Sequence, residues 1–300
     1  MRRLDWVAII LLVMGAIYSQ LSGYQHRVPD NANPRRPDVQ HFSGELWAPE
    51  TKNWMAGSAT PQKTDSFTNR LPHEGIIEGG DKPKSSMGSA FSISRQGIWL
   101  TARHVIQGCS TIALQTDRKK YLKVTRTLIH PTADVAMFWT NGGPDGIPVA
   151  RQISHGKDGY DIGFPTGQPG AVHSLLAGDM VIRHVDKRQR QNGYRERVNA
   201  WTERSRVPDI RGSLGGLSGG AVLDERGQVI GIVQAESRRR GRIMTAQPST
   251  ISELFDLAKV TYPDATTLVN GRNLTDKDYP DAARDLILSL RVAKVFCLVK

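Results

Sequence analysis

Gly215-Gly216-Leu217-Ser218-Gly219-Gly220-Ala221-Val222 sets one serine between glycines on both sides. Glycine gives up the most backbone entropy on ordering, so such a run is a poor helix or strand former. It offers instead access to backbone angles closed to other residues and a bare approach to the main chain. A serine on a turn of this kind can present its hydroxyl while neighbouring N–H groups point at the same spot, the arrangement of an oxyanion hole. A Gly-rich surface turn between strands fits the same residues. Two stretches upstream bear on the choice.

Residues 88–94, 98–102, 111–115, 121–129 and 135–140 are short β-rich runs separated by turn residues or charges. Close-set strands without intervening helices predict an all-β sandwich or barrel. Within this series, Leu100-Thr101-Ala102-Arg103-His104-Val105 places a histidine just past an apolar strand. Further on, His130-Pro131-Thr132-Ala133-Asp134-Val135-Ala136-Met137 opens an apolar strand with an aspartate. Burying that acid is costly unless it is hydrogen-bonded, and a histidine partner would remove the cost. Downstream, 180–185, 197–202 and 228–234 read as further strands.

Together Thr-Ala-x-His-Val, Asp-Val-Ala and Gly-x-Ser-Gly-Gly, in the order His104, Asp134, Ser218, resemble the chymotrypsin-fold (trypsin-like) serine peptidases over roughly residues 86–258. That order separates them from the subtilisin and α/β-hydrolase arrangements. The spacings, 134 − 104 = 30 and 218 − 134 = 84, suit a histidine and aspartate in a first barrel and a serine in a second. The resemblance implies two six-stranded antiparallel β-barrels, the second opening on the strand and turn 161–165, with a C-terminal helix at 251–260. It implies Ser218 as nucleophile, His104 as general base, Asp134 as the group that orients the imidazole, and the N–H groups of Gly216 and Ser218 as the oxyanion hole. It further implies Val233, Gln234 and Ala235 as an edge for a substrate strand, Gly212 at the base of the specificity pocket, and no metal or cofactor. With glycine at 212, cleavage after Lys or Arg is not supported; Glu236 either compensates for the missing acid or, as the preferred reading, is a solvated surface acid. The digestive enzymes carry a cysteine beside the histidine and an aspartate before the serine, where this chain has Val105 and Leu217. The bacterial Deg/HtrA-like branch is more similar, although its PDZ domains need more chain than follows Val260, so the expectation is a PDZ-less relative.

The 300 residues, 39% hydrophobic and 23% charged, can build a sizeable core. Arg2 and Arg3 precede an apolar run from Trp6 that, taken to Leu21, would span about 24 Å as a helix, against a hydrocarbon core of about 30 Å. No small-x-small cleavage site follows, so 1–24 reads as an uncleaved anchor, or else as a signal peptide, with the remainder on the periplasmic side. Residues 25–85 read as an irregular tether, 86–260 as the peptidase domain, and 261–300 as a tail with a helix beginning near Pro280-Asp281. The net charge of +11 and the basic runs Lys187-Arg188-Gln189-Arg190 and Arg238-Arg239-Arg240-Gly241-Arg242 suit acidic substrate, lipid head groups or simply solvated loops. No nucleic-acid-binding signature accompanies them. Cys109 and Cys297 can pair in an oxidising compartment or stay apart as buried thiols. The expected function is that of a serine endopeptidase acting on protein or peptide. The alternative is a catalytically inactive peptidase-fold module that binds peptide at the membrane.

Overall fold

The computed structural model describes residues 60–61, 74–79, 84–153, 158–186, 193–262 and 273–299. The 1–24 segment, most of the tether and the basic run at 187–190 lie outside them. In chain order the strands are β1 (Thr60–Pro61), β2 (Glu74–Gly79), β3 (Ser86–Ser94), β4 (Ile98–Thr101), β5 (Thr111–Asp117), β6 (Lys120–Lys123), β7 (Arg126–Ile129), β8 (Ala136–Trp139), β9 (Asp158–Gly163), β10 (Gly170–Asp186), β11 (Tyr194–Val207), β12 (Ala221–Leu223), β13 (Val229–Ser237), β14 (Arg242–Ala246) and β15 (Val292–Leu298). The helices are α1 (Arg103–Ile106), α2 (Pro248–Ala258) and α3 (Tyr279–Leu288). No helix among the described residues is long and apolar enough to cross a membrane.

Two antiparallel β units result, as the strand-rich pattern predicts. In the second, β11-β14-β13-β12-β9-β10 are neighbours in that order, and β10 pairs again with β11, closing a six-stranded barrel. In the first, seven strands follow the order β6-β5-β15-β3-β4-β8-β7 and curl into a half-barrel. The run 121–129, read as one strand, is two. At Val124 and Thr125 the chain changes partner, the first N–H bonding to Ile112 O and the second to Trp139 O. Part of the tether is ordered: β1 pairs with β11, and β2 runs parallel to β10 with Ile76 opposite Arg183.

One apolar core joins the two units, with Phe91, Leu100, Val135 and Met137 from the first and Tyr160, Ile162, Ala221 and Ile232 from the second. Helix α2 buries Ile251, Leu254, Phe255 and Ala258, the i, i+3, i+4, i+7 stripe that an amphipathic helix needs. Helix α3 buries Tyr279, Ala282, Ala283, Leu286 and Ile287 in the same way and starts with Pro in its first turn.

The largest departure from the sequence reading is β15. The tail returns to the first unit and lies between β3 and β5, with Val292 opposite Phe91 and Cys297 opposite both Ser86 and Ile112. Val292, Ala293 and Val295 are fully buried there. A disulfide joins Cys297 to Cys109, just beyond the end of α1, across 188 residues of chain.

Candidate active site

Strand β4 delivers the histidine. Its end turns at Ala102, which has extended backbone angles (φ −77°, ψ 144°), directly into the single turn of α1 that carries His104. Asp134 lies in the connection before β8 and is buried, with both carboxylate oxygens engaged. Oδ1 accepts the backbone N–H of His104 at 2.8 Å, and Oδ2 lies 2.7 Å from His104 Nδ1. The desolvation cost that made this acid conspicuous in the sequence is thus offset by two hydrogen bonds from one residue. Bonding at Nδ1 leaves Nε2 as the imidazole's acceptor.

Behind Asp134 is a second carboxylate. Glu196, on β11, accepts the Asp134 N–H at 3.0 Å and the Gln234 Nε2 amide at 3.2 Å on Oε2, while its Oε1 lies 2.6 Å from His184 Nε2 on β10. The His184 ring stacks on Tyr194 at 4.3 Å, and Arg103 lies over Tyr194 at 4.8 Å. The second barrel therefore braces the loop of the first unit that holds Asp134.

Ser218 is half-buried in the loop between β11 and β12, held on the first unit by Ser89 of β3. The Ser89 N–H donates to Ser218 O at 2.8 Å, and its hydroxyl donates to Gly216 O at 2.7 Å while accepting the Phe164 N–H at 2.9 Å. Gly219 has φ +84°, and a Cβ there would overlap Ser89 O and Thr101 Oγ1. Gly216 has φ +97°, and a Cβ there would meet Phe164 O at 2.5 Å. Both positions need glycine for conformation and for space. A side chain on Gly88 would meet Val105, the neighbour of His104, at 2.7 Å and Ser218 O at 3.0 Å, so the histidine turn and the serine loop converge on that glycine. Leu217, where the digestive enzymes have an aspartate, is 1% exposed and packs with Leu214, Val222 and Val233. Its N–H donates to Leu214 O at 2.9 Å, whereas among the described residues neither flanking N–H, of Gly216 or of Ser218, donates a hydrogen bond. Two unspent donors bracketing a spent one can converge on an anionic oxygen.

Beside Ser218 opens a pocket of about 210 Å³ lined by Leu214, Leu217, Val233, Ala235 and Ile243, with Ser213, Gly215 and Glu236 also in its wall. Val233 and Ala235 line this pocket, but both main-chain groups of Val233 are taken by Gly219 and Gly220, so the expected substrate edge can begin only at Gln234. Gln234 is on the same strand with its side chain turned back onto Asp134 O and Glu196. Gly212 is exposed and does not line the pocket; its carbonyl accepts from Arg206 at 2.8 Å. The reading of Glu236 as a solvated surface acid is corrected: its side chain is 15% exposed, and Oε2 accepts the Leu214 N–H at 2.8 Å and the Ser213 hydroxyl at 3.2 Å. Ser89, His184 and Glu196 went unread in the sequence. The one signal for Glu196 is an acid in phase with buried Val198 and Ala200 on an alternating strand.

Desolvation pulls the His104 pKa down, but the charge and hydrogen bond of Asp134, and then the charge of Glu196, outweigh it and leave it above the usual histidine value. No group of His, Cys, Asp or Glu able to hold a metal ion occurs among the described residues.

Residues 88–232 match the trypsin-like peptidase domain family. The chain is 24% identical over 258 residues to the "Probable periplasmic serine endoprotease DegP-like" of Halomonas elongata, covering 79% of this chain and 50% of that one. It is 26% identical over 193 residues to a protein of the same description from Ectopseudomonas mendocina, covering 61% of this chain and 37% of that one. The chain thus spans half or less of the length of these relatives. Among solved structures, the active form of the Rv3671c protease from M. tuberculosis aligns with a TM-score of 0.49 at 18% identity, covering 68% of this chain and 97% of that one.

Proposed function

We propose that the chain is a serine endopeptidase that cleaves peptide bonds through an acyl-enzyme, a reading that starts from the match of residues 88–232 to the trypsin-like peptidase domain family. Ser218 Oγ attacks the scissile carbonyl. His104 takes its proton at Nε2 and returns it to the leaving amine. Asp134, hydrogen-bonded at Nδ1, holds the tautomer and stabilises the imidazolium. The N–H groups of Gly216 and Ser218 receive the developing oxyanion, and the substrate lies as an added strand along the edge that opens after Val233, at Gln234 and Ala235. The observation that carries this reading is the doubly bonded His104–Asp134 pair beside a serine loop whose two flanking N–H groups are unspent. Leu217, buried where the digestive enzymes have an aspartate, shapes that loop by apolar packing. Glu196 is a positioning residue that fixes the Asp134 backbone and adds negative charge behind the imidazole.

A periplasmic location agrees with the description of the relatives as periplasmic and with a disulfide, which persists in an oxidising compartment. In this reading the 6–21 segment tethers the domain to the membrane.

The reading is tested by the pH dependence of kcat/KM on an internally quenched peptide. His104 must be neutral to accept the proton, and its pKa is raised, so activity should fall on acidification with a midpoint above about 6.5. Glu196→Gln removes one of the charges that raise it, so the midpoint should move to lower pH while kcat drops. A rate flat well below pH 6 would contradict the general-base role. An unmoved midpoint in Glu196→Gln would reduce Glu196 to packing.

A further inference from the structure

The function proposed above leaves one charged feature unused. Arg238, Arg239 and Arg240 form the tip between β13 and β14; Arg211 lies across from them beside Gly212, and Arg242 begins β14. All but Arg242 are exposed. Arg238 Nη2 lies 3.6 Å from where a Gly212 side chain would start, which brings the 211–212 turn and the tip together. The acids of this region are committed elsewhere. Glu203 makes a two-pronged pair with Arg206, Glu236 is bonded to Ser213 and Leu214 with Arg206 Nη2 3.8 Å away, and the charge of exposed Asp209 acts on Arg206. Among the described residues none of the five arginines has a carboxylate within ion-pair range. Burial and the charge of Arg240 press the Arg242 guanidinium below its usual value, as expected of like charges without a counter-ion.

The place of this cluster relative to the pocket gives it a direction. Strand β13 is covered by β12 only as far as Ile232, opposite Ala221, and Val233 is closed by Gly219 and Gly220. From Gln234 to Ser237, β14 is its only strand neighbour among the described residues, and the open edge runs from the pocket beside Ser218 to the arginine tip. A polypeptide added antiparallel to that edge has its scissile bond at the Val233 end and its upstream residues toward Arg238. At about 3.4 Å per residue, the side chains roughly four to six positions before the scissile bond fall among the arginines.

We propose that this cluster is an extended subsite that selects acidic side chains about four to six residues upstream of the cleaved bond. The proposal rests on the peptidase reading for its register, and on the charge and the open edge for its chemistry. Continuity of the cluster with the substrate edge favours a polypeptide over a lipid surface as the partner.

The test compares three internally quenched peptides of one cleavage sequence, with Glu at upstream positions four to six, Gln at those positions, or Glu at the matching downstream positions. Wild-type kcat/KM should favour the upstream-acidic peptide by about tenfold or more at low salt, and the ratio should shrink as added salt screens the charges. In Arg238→Gln/Arg239→Gln/Arg240→Gln the preference should collapse while the Gln peptide is cleaved at the wild-type rate. Fluorescence anisotropy on Ser218→Ala should show the same order of binding without hydrolysis. A preference that survives the triple substitution, or that belongs to the downstream-acidic peptide, would overturn the proposal. So would a cluster that binds phosphatidylglycerol vesicles but does not discriminate among the peptides. A fluorophosphonate probe separates the two readings: labelling without discrimination leaves the peptidase and removes the subsite, whereas arginine-dependent binding without labelling leaves the subsite and removes the peptidase.

Discussion

Replacing Ser218 with alanine should lower kcat by about 10⁶ and leave substrate binding nearly intact. In the proposed mechanism the variant loses the attacking atom and keeps the N–H groups and the substrate edge, so only oxyanion-hole and binding catalysis should persist. The fold should tolerate the change. Ser218 reaches its neighbours through its backbone carbonyl, held by the Ser89 N–H at 2.8 Å, and that contact survives the substitution. Steady-state hydrolysis of the quenched peptide, with the thermal midpoint as control, reads both sides. A loss below tenfold would place the nucleophile elsewhere.

The second large effect concerns β15. Cutting the chain after Arg291 removes an interior strand of the first sheet, exposing facing edges of β3 and β5 and deleting two fully buried valines, Val292 and Val295. At about 1.5–3 kcal/mol per buried side chain, before any lost ladder bonds, this is a large part of a usual stability of about 5–15 kcal/mol. The truncated chain should lack a cooperative unfolding transition. The active site should go with it, because Ser89, which holds the Ser218 loop, stands on β3 opposite Lys294 of β15. A milder version substitutes both cysteines with serine. In the chain-entropy picture a link across 188 residues contributes up to about 5 kcal/mol, which corresponds to a fall in Tm of roughly 10–20 °C for a domain of this size. Reductant should lower the wild-type Tm similarly and leave the double variant unmoved. An unchanged Tm in the double variant, with an active truncated chain, would show that β15 is dispensable.

The sequence was most legible where chemistry demands particular residues close together. His104, Asp134 and the glycine-flanked Ser218 each announce themselves within a few residues, and the structure pairs the first two directly. Short strands were legible as β-rich runs set between turn residues and charges, although 121–129 hid a change of partner that no local pattern encodes. β15 was illegible because what makes it a strand is far away: Val292 pairs with Phe91, about 200 residues earlier, and a short apolar run at a chain end has no periodicity of its own. Glu196 was hidden for the same reason, its meaning depending on Asp134, 62 residues upstream on the other unit. Glu236 was misread because an acid before a run of arginines looks solvated until the fold brings the Leu214 N–H to it.

Active-site labelling of the intact protein with a fluorophosphonate, followed by mass spectrometric mapping, bears most directly on the assignment of Ser218. One adduct per chain is expected, on the peptide containing Ser218, lost in Ser218→Ala and strongly slowed in His104→Ala, whose serine has no base to take its proton. A folded protein that takes no label, or that carries it on another residue, would contradict the account.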